Sequence, residues 1–420
     1  MAIQGDSLVI GSDAEEPSPN GGPVGAAYIF TRQGTNWIQK ARLQPNMELS
    51  ELAGNITRVG SSVGIFGSTL VIGNSGDDLL GGNAGAAHVF VRQGEGWFET
   101  DRLSAEHPAP ETWFGTGDIP MGERVAIVST TGPFTTPSGG VPHVFTYGAN
   151  GWSLRATLAP QDPPEDVEFF FEAATALSGD TVLVGSPWGK GNVYVFKATD
   201  VHWDTVDESV IISPATNVTF GKDVALTGDT ALIGAPDSHG GFEGRAFIYV
   251  YNGTNWTLQS TLLPPQPNTE REFGEAVALQ GSRAIVYGST AALHIYTRFG
   301  TNWVFDYSVL AEPDAKFQTP ALLLSDNFAF VRARTSTEFT VNIYSLPQRP
   351  KLAITINATS VRLDIASTLG DRLAVEVATS LSGDWTQLME IEANTNPYPL
   401  TVPIDSAEPA RFFRVKQLNL

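Results

Sequence analysis

The chain has 420 residues, 42% of them hydrophobic and 10% aromatic, enough for two to three domains or one large repeat fold. It is acidic, with 45 Asp and Glu against 25 Lys and Arg and a net charge of -20, which disfavours nucleic acid and anionic membrane surfaces as partners. There is no cysteine, which excludes disulfides, thiolate zinc sites and thiol nucleophiles. No apolar run reaches the ~18 residues that a membrane-spanning helix needs.

In chain order, a glycine turn between two apolar runs returns again and again. It reads QGDSLVIG at Gly5, FGSTLVIG at Gly67, MGERVAIV at Gly122, SGDTVLVG at Gly179, TGDTALIG at Gly228 and QGSRAIVY at Gly281, with SDNFAFV at Ser325. The intervals are 62, 55, 57, 49, 53 and 44 residues, near the length of a four-stranded propeller blade. An alternating aromatic strand follows each turn: 25–30, 85–90, 141–145, 191–196, 247–251, 292–296 and 341–346. Trp37, Trp97, Trp152, Trp203, Trp256 and Trp303 then open a further strand, and these six read as core. Aromatic-Gly pairs or variants introduce the next unit: Phe114-Gly115, Phe171-Glu172, Phe220-Gly221, Phe273-Gly274 and Phe317-Gln318.

Each unit therefore reads as four short strands, A to D, with period-2 alternation. The A-B link has glycine first, as a type II′ hairpin requires. Such a sheet cannot bury both faces alone, and radial stacking of seven of them does so. The predicted fold is all-β: a seven-bladed propeller over residues 1–347, then a small β-sandwich over 351–420.

These residues resemble the FG-GAP repeat family, found in bacterial exported proteins and in the integrin alpha-subunit head. The likeness is clearest at Phe220-Gly221 with Gly234-Ala235-Pro236, and weaker at Gly185-Ser186-Pro187 and Gly11-Ser12-Asp13. It implies an exported or cell-surface protein, although strand-like sequence follows Met1 at once and no signal peptide is read there. In the integrin-type blades the A-B hairpin carries a calcium loop like D-x-D-x-D-G. Here the link is only Thr227-Gly228-Asp229-Thr230, and Asp6 and Asp180 stand alone in the same way. One carboxylate cannot supply the six to eight oxygens calcium takes. Asp229 is expected to be a turn residue bonding nearby backbone N–H groups. No cofactor is expected, with calcium the alternative.

The B-C and D-A connections are long and should open on one face, where binding usually lives on a rigid scaffold. Trp113 and Trp188 lie off register in loops of that face. Either could stack on a sugar or anchor a protein, or be buried between loops. Asp77 and Asp78 lack ligand spacing and read as surface charge, with calcium the less favoured alternative. Asp237 and His239, in the blade 5 loop DSHGGFEG, complete the candidate binding set. His88, His143 and His294 share the strand C position of Tyr28 and Tyr194 and are expected to be satisfied core imidazoles. Asp118, Glu172, Asp223 and Glu275 fall near the start of strand A, which lines the channel. They are either solvated charges or an acid/base set acting on a glycoside, although no arginine cluster accompanies them.

After 347–350 the text changes to six strand-like runs, with Trp385 as their expected core aromatic. This tail resembles modules that end bacterial exported proteins. Unit 7 lacks a Trp-led strand D and unit 1 starts inside strand A. An upstream strand, or failing that Lys351–Asn357, is expected to close the ring. The reading is a non-catalytic, monomeric binding scaffold for a protein or carbohydrate at the cell surface. A glycan-active propeller hydrolase and a purely structural surface protein are the alternatives.

Overall fold

The structure, a computed structural model, describes residues 1–13, 24–34, 36–46, 57–131, 140–161, 174–187, 191–215, 218–237, 243–266, 270, 272–288, 292–310, 322–325, 328–334 and 339–346. In the last unit it describes 351–356, 360–366, 372–378, 386–392, 398–403 and 412–417. Two compact units emerge, Met1–Tyr344 and Ser345–Leu420.

The first is a seven-bladed β-propeller. Blade 1 runs Ala2–Gln4, Ser7–Ser12, Ala26–Gln33 and Asn36–Leu43; blade 2 runs Val59–Phe66, Thr69–Asn74, Ala86–Gln93 and Gly96–Leu103. Blades 4, 5 and 6 repeat the order A-B-C-D with Thr175–Ser178, Val224–Thr227 and Ala276–Gln280 as their inner strands. In blade 3 the sheet is Val125–Ser129, Pro142–Gly148 and Gly151–Thr157, and strand A shrinks to the bridges Thr116↔Ser129 and Met121↔Ala126. Pro120 lies between those bridges and has no N–H for the ladder, which accounts for the interruption.

The A-B hairpins take the expected form. Gly5, Gly67, Gly179, Gly228 and Gly281 have φ between 54 and 61°, and none of the residues that follow them has positive φ. A type I′ turn would need positive φ at both positions, so these are type II′.

The core lies between blades. Leu183, Val193 and Val195 of blade 4 pack with Phe220, Ile233 and Phe247 of blade 5. Leu232 and Ile248, on the opposite face of blade 5, pack with Phe273, Val286 and Tyr296 of blade 6. Period-2 alternation makes this possible, since successive side chains of one strand serve two interfaces.

The aromatic-Gly and Gly-Ala-Pro segments are explained by the same interfaces. Phe114, Phe220 and Phe273 are fully buried. Each ring lies 5.5–5.7 Å from the ring at the shared strand C position: His143, Phe247 and His294. Behind each phenylalanine a glycine with φ of 87–99° presses its carbonyl onto the preceding blade. A Cβ on Gly73 would lie 2.1 Å from the Gly115 oxygen, on Gly185 2.1 Å from the Gly221 oxygen, and on Gly234 2.1 Å from the Gly274 oxygen. Blade 1 does the same, since a Cβ on Gly11 would lie 2.1 Å from the Gly60 oxygen, so Val59-Gly60 fills the aromatic-Gly position of blade 2. That pair was hidden in the sequence because its first residue is aliphatic.

Three details differ from the sequence reading. Trp203 does not open a strand: Asp200 accepts the N–H groups of His202, Asp204 and Thr205, and strand D begins only at Val206. The hydroxyl of Thr205 and these N–H groups hold the exposed Asp200 carboxyl down at about 2. Trp37, Trp97, Trp152 and Trp256 are half-buried at the rim, whereas Trp203 and Trp303 are buried. Finally, Lys351–Ile356 pairs with Ser360–Ala366 inside the second unit and does not extend blade 7.

Blade 7 has three strands among the described residues, Leu322–Ser325, Phe328–Arg334 and Phe339–Ser345. It packs on blade 1 through Arg32 stacked 5.1 Å above Phe328 and Trp37 edge-on to Phe330 at 5.5 Å. The second unit holds two three-stranded antiparallel sheets. One joins Lys351–Ile356, Ser360–Ala366 and Tyr398–Pro403; the other joins Thr386–Glu392, Arg372–Ala378 and Phe412–Gln417. Trp385 lies outside the described residues.

Candidate functional site

The inner strands surround an axial cavity of about 680 Å³. Its wall is largely apolar, with Val63, Ile65, Ile119, Val224, Val277, Leu322 and Leu324 among the lining residues. Its polar residues include Asp118, Lys222, Asp223 and Glu275. Each carboxylate sits just before or at the start of an inner strand, the end away from the A-B turn. They therefore gather at the axial mouth on the side of the long B-C and D-A loops. Asp118, Asp223 and Glu275, expected there from their positions, are brought together; Glu172 lies outside the described residues.

Asp223 also ties two blades. Its Oδ1 accepts the Val224 N–H at 2.9 Å, and its Oδ2 accepts the Val277 N–H of blade 6 at 2.7 Å. Asp223 is half-buried and stands in the axial cavity, where the surrounding inner strands desolvate its carboxyl. That desolvation raises its carboxyl to about 7; the two N–H groups oppose the rise, and the charges of Asp118 and Glu275 add to it. Desolvation likewise raises Asp118, against the N-terminal amine and the guanidinium of Arg332. Lys222 Nζ lies 3.7 Å from Glu275 Oε1. The mouth thus offers donors as well as acceptors. Sequence reasoning missed both cationic side chains. Lys222 adjoins Asp223 and could have been found, whereas Arg332 comes from blade 7 and only the closed ring brings it near.

The other predicted binding residues separate. Asp77 is buried, contrary to a surface charge. Its Oδ1 lies 2.5 Å from Arg102 Nη2 and accepts the Leu79 N–H at 3.0 Å, and His88 Nε2 stands 4.0 Å from its Oδ2. The B-C loop, residues 75–85, brings Asp77 back against Arg102 of strand D and His88 of strand C, where its carboxylate is buried. Asp78 accepts the Asn83 N–H within the same loop. Trp113 is half-buried with Arg58 stacked 5.2 Å above its ring, and its φ of 49° is held by the N–H bond to the Asn83 carbonyl. Asp237 is half-buried and bridges to Val218. Trp188 and His239 lie outside the described residues.

The three strand C imidazoles are buried. His88 Nδ1 meets Glu99 Oε1 at 2.7 Å. Burial alone would raise the Glu99 carboxyl, but His88 and the Asn46 N–H together bring it below its ordinary value. His143 bonds the Val141 carbonyl at 3.1 Å while its Nε2 has no partner, so it is only half satisfied. Desolvation drives its pKa down to about 4. Because the unfolded chain binds that proton more readily, stability is expected to fall by up to about 3 kcal/mol as pH drops from 6.5 to 4. His143→Phe should flatten that limb of a denaturation-midpoint profile, and an unchanged limb would refute the assignment.

At the A-B turns, Asp6 pairs with Arg32 at 2.7 Å and Asp180 lies 3.8 Å from Lys197, so strand C cations take the place expected for backbone N–H groups. Asp229 is exposed and its carbonyl accepts the Tyr251 N–H at 2.9 Å. Among the described residues no three His, Asp or Glu side chains converge with metal-binding geometry.

Residues 58–90, which span strands A and B of blade 2 and most of its strand C, match the FG-GAP repeat family. The match falls on the blade whose Val59-Gly60 pair the sequence motif overlooked. No curated protein sequence matches the chain. Among solved structures, the periplasmic gluconolactonase of Pseudomonas aeruginosa is 14% identical with a TM-score of 0.50, the alignment covering 94% of this chain and 98% of that one. A putative 6-phosphogluconolactonase of Bacteroides fragilis is 10% identical with a TM-score of 0.50, over 94% and 97%. At this identity the likeness is one of fold.

Proposed function

We propose that this propeller is a non-catalytic binding scaffold, exported and monomeric, that takes a glycan of the cell surface at the axial mouth of its long-loop face. Convergence of Asp118, Lys222, Asp223 and Glu275 on a cavity of about 680 Å³ carries this reading. That volume is in the range of small-molecule sites. A rim of mixed donors and acceptors over an apolar wall suits hydroxyl groups on a carbon ring. The exported bacterial, integrin-like character and the reading of the second unit as a small β-sandwich belong to the same proposal. They are supported by the repeat motifs and by the two three-stranded sheets of the second unit.

Binding of the full chain to a glycan array and to intact cells tests it. Asp223→Ala and Glu275→Ala are each expected to weaken capture by about 10- to 100-fold, the worth of a hydrogen bond to a charged group. Capture that neither substitution alters, or no capture at all, would remove the axial mouth from the reading.

A hydrolase is the second reading, and one observation favours it: a carboxyl at about 7 beside further carboxylates is a proton donor near neutrality. Turnover of chromogenic glycosides would then fall as pH rises through 7, where Asp223 loses its proton, and would be lost in Asp223→Asn or Glu275→Gln. The two lactonase folds make aryl esters and lactones worth including in the same screen.

A further inference from the structure

Outside the axial site, blade 6 carries a buried acid set against its strand C imidazole, an ion pair that the repeat's packing on Phe273 does not require. Glu270 and His294 are each 4% exposed, and Glu270 Oε1 lies 2.8 Å from His294 Nε2. The second carboxylate oxygen has no hydrogen-bond partner among the described residues and abuts Gly288, where a Cβ would lie 2.0 Å from it. Placing an acid and a base together in the interior costs several kcal/mol of desolvation, which a hydrophobic pair would avoid. The other imidazole nitrogen, Nδ1, is 2.8 Å from the Oγ of Ser308. Ser308 is directly opposite His294 on strand D and is exposed. The equivalent histidines lack this arrangement: His88 meets Glu99 and His143 a backbone carbonyl.

We propose that Ser308 is an activated nucleophile, primed by His294 and oriented by Glu270, and a site of covalent modification by activated acyl or phosphoryl compounds. The carboxylate favours the proton on Nε2, leaving Nδ1 free to accept the hydroxyl proton. The Nε2 contact is close but not aligned as a hydrogen bond, and such contacts commonly tighten only when substrate is bound. With a fluorophosphonate the Ser308 O–H bond breaks and its proton passes to His294 Nδ1. The new Oγ–P bond forms as the P–F bond breaks, fluoride leaves, and the imidazolium returns its proton to solvent. A phosphonate ester of serine hydrolyses slowly, so the expected product is a stable adduct and not rapid turnover.

The full chain is treated with a fluorophosphonate probe and the labelled residue is located by mass spectrometry. Ser209, exposed on strand D of blade 4 opposite Val195, serves as an internal reference. A positioned base is worth about 10²–10⁴ in rate, so Ser308 is expected to label at least ~100-fold faster than Ser209. Ser308→Ala removes the signal, and Glu270→Gln slows it about ten-fold or more. Labelling of Ser308 no faster than Ser209, or a rate that Glu270→Gln in folded protein leaves unchanged, overturns the proposal. Should Glu270→Gln fail to fold, the ratio within the unmodified chain decides alone.

Discussion

Replacing Gly274 by alanine is expected to destabilise the propeller by about 3–5 kcal/mol, the sum of backbone strain and an overpacked interface. Two costs combine at this position. Its φ of 99° is a conformation that L side chains rarely adopt. Its Cβ would also fall 2.2 Å from the Arg245 carbonyl oxygen and 2.8 Å from the Ala235 nitrogen, both backbone atoms that cannot rotate away. Gly228→Ala is the internal comparison. It too has positive φ, 54°, but nothing lies within 4 Å of the added carbon, so only about 1 kcal/mol is expected. Midpoints of urea denaturation for the two variants check the difference. Equal losses would mean that blade contact through these glycines is not what holds neighbours together.

Asp77→Ala should produce the second large loss, about 3 kcal/mol, because removing one partner of a buried pair strands the other. Arg102 would keep part of its solvation, its side chain being 24% exposed, which places the effect at the low end for buried pairs. Its Nε already lacks a partner, and His88 Nε2 lacks one too, so the network has no spare acceptor to take over. Asp78→Ala, next in sequence, loses only a loop bond to the Asn83 N–H and should cost about 1 kcal/mol. Denaturation midpoints of the two variants make the test. A ligand-binding role for Asp77 without a structural one would leave stability unchanged while abolishing capture.

Residue patterning carried most of the fold because each blade must satisfy the same local demands. A turn glycine with positive φ, a strand alternating between two interfaces and a phenylalanine under strand C leave marks at fixed spacing. Where another residue meets the same demand, the mark disappears, as at Val59 in blade 2. Where a local competitor wins, it misleads: Asp200 captures three N–H groups and pulls Trp203 out of the strand it should have opened.

The site was legible only in part, and for a physical reason. Asp118, Asp223 and Glu275 could be placed at the axial mouth because strand A always begins there. Charge state and partners could not be, since they depend on groups arriving from other blades: the Val277 N–H for Asp223, and Arg332 for Asp118. Asp77 and Asp78 are adjacent and chemically identical, yet one is buried against Arg102 and the other caps its own loop. The sequence by itself therefore determined the repeat, its turns and the number of blades, which rest on patterns within about 60 residues of the chain. Closure of the ring rests instead on Arg32 and Trp37 meeting Phe328 and Phe330. Burial, pairing and proton affinity were decided by the tertiary structure, because desolvation and Coulomb interactions depend on distance in space and not along the chain.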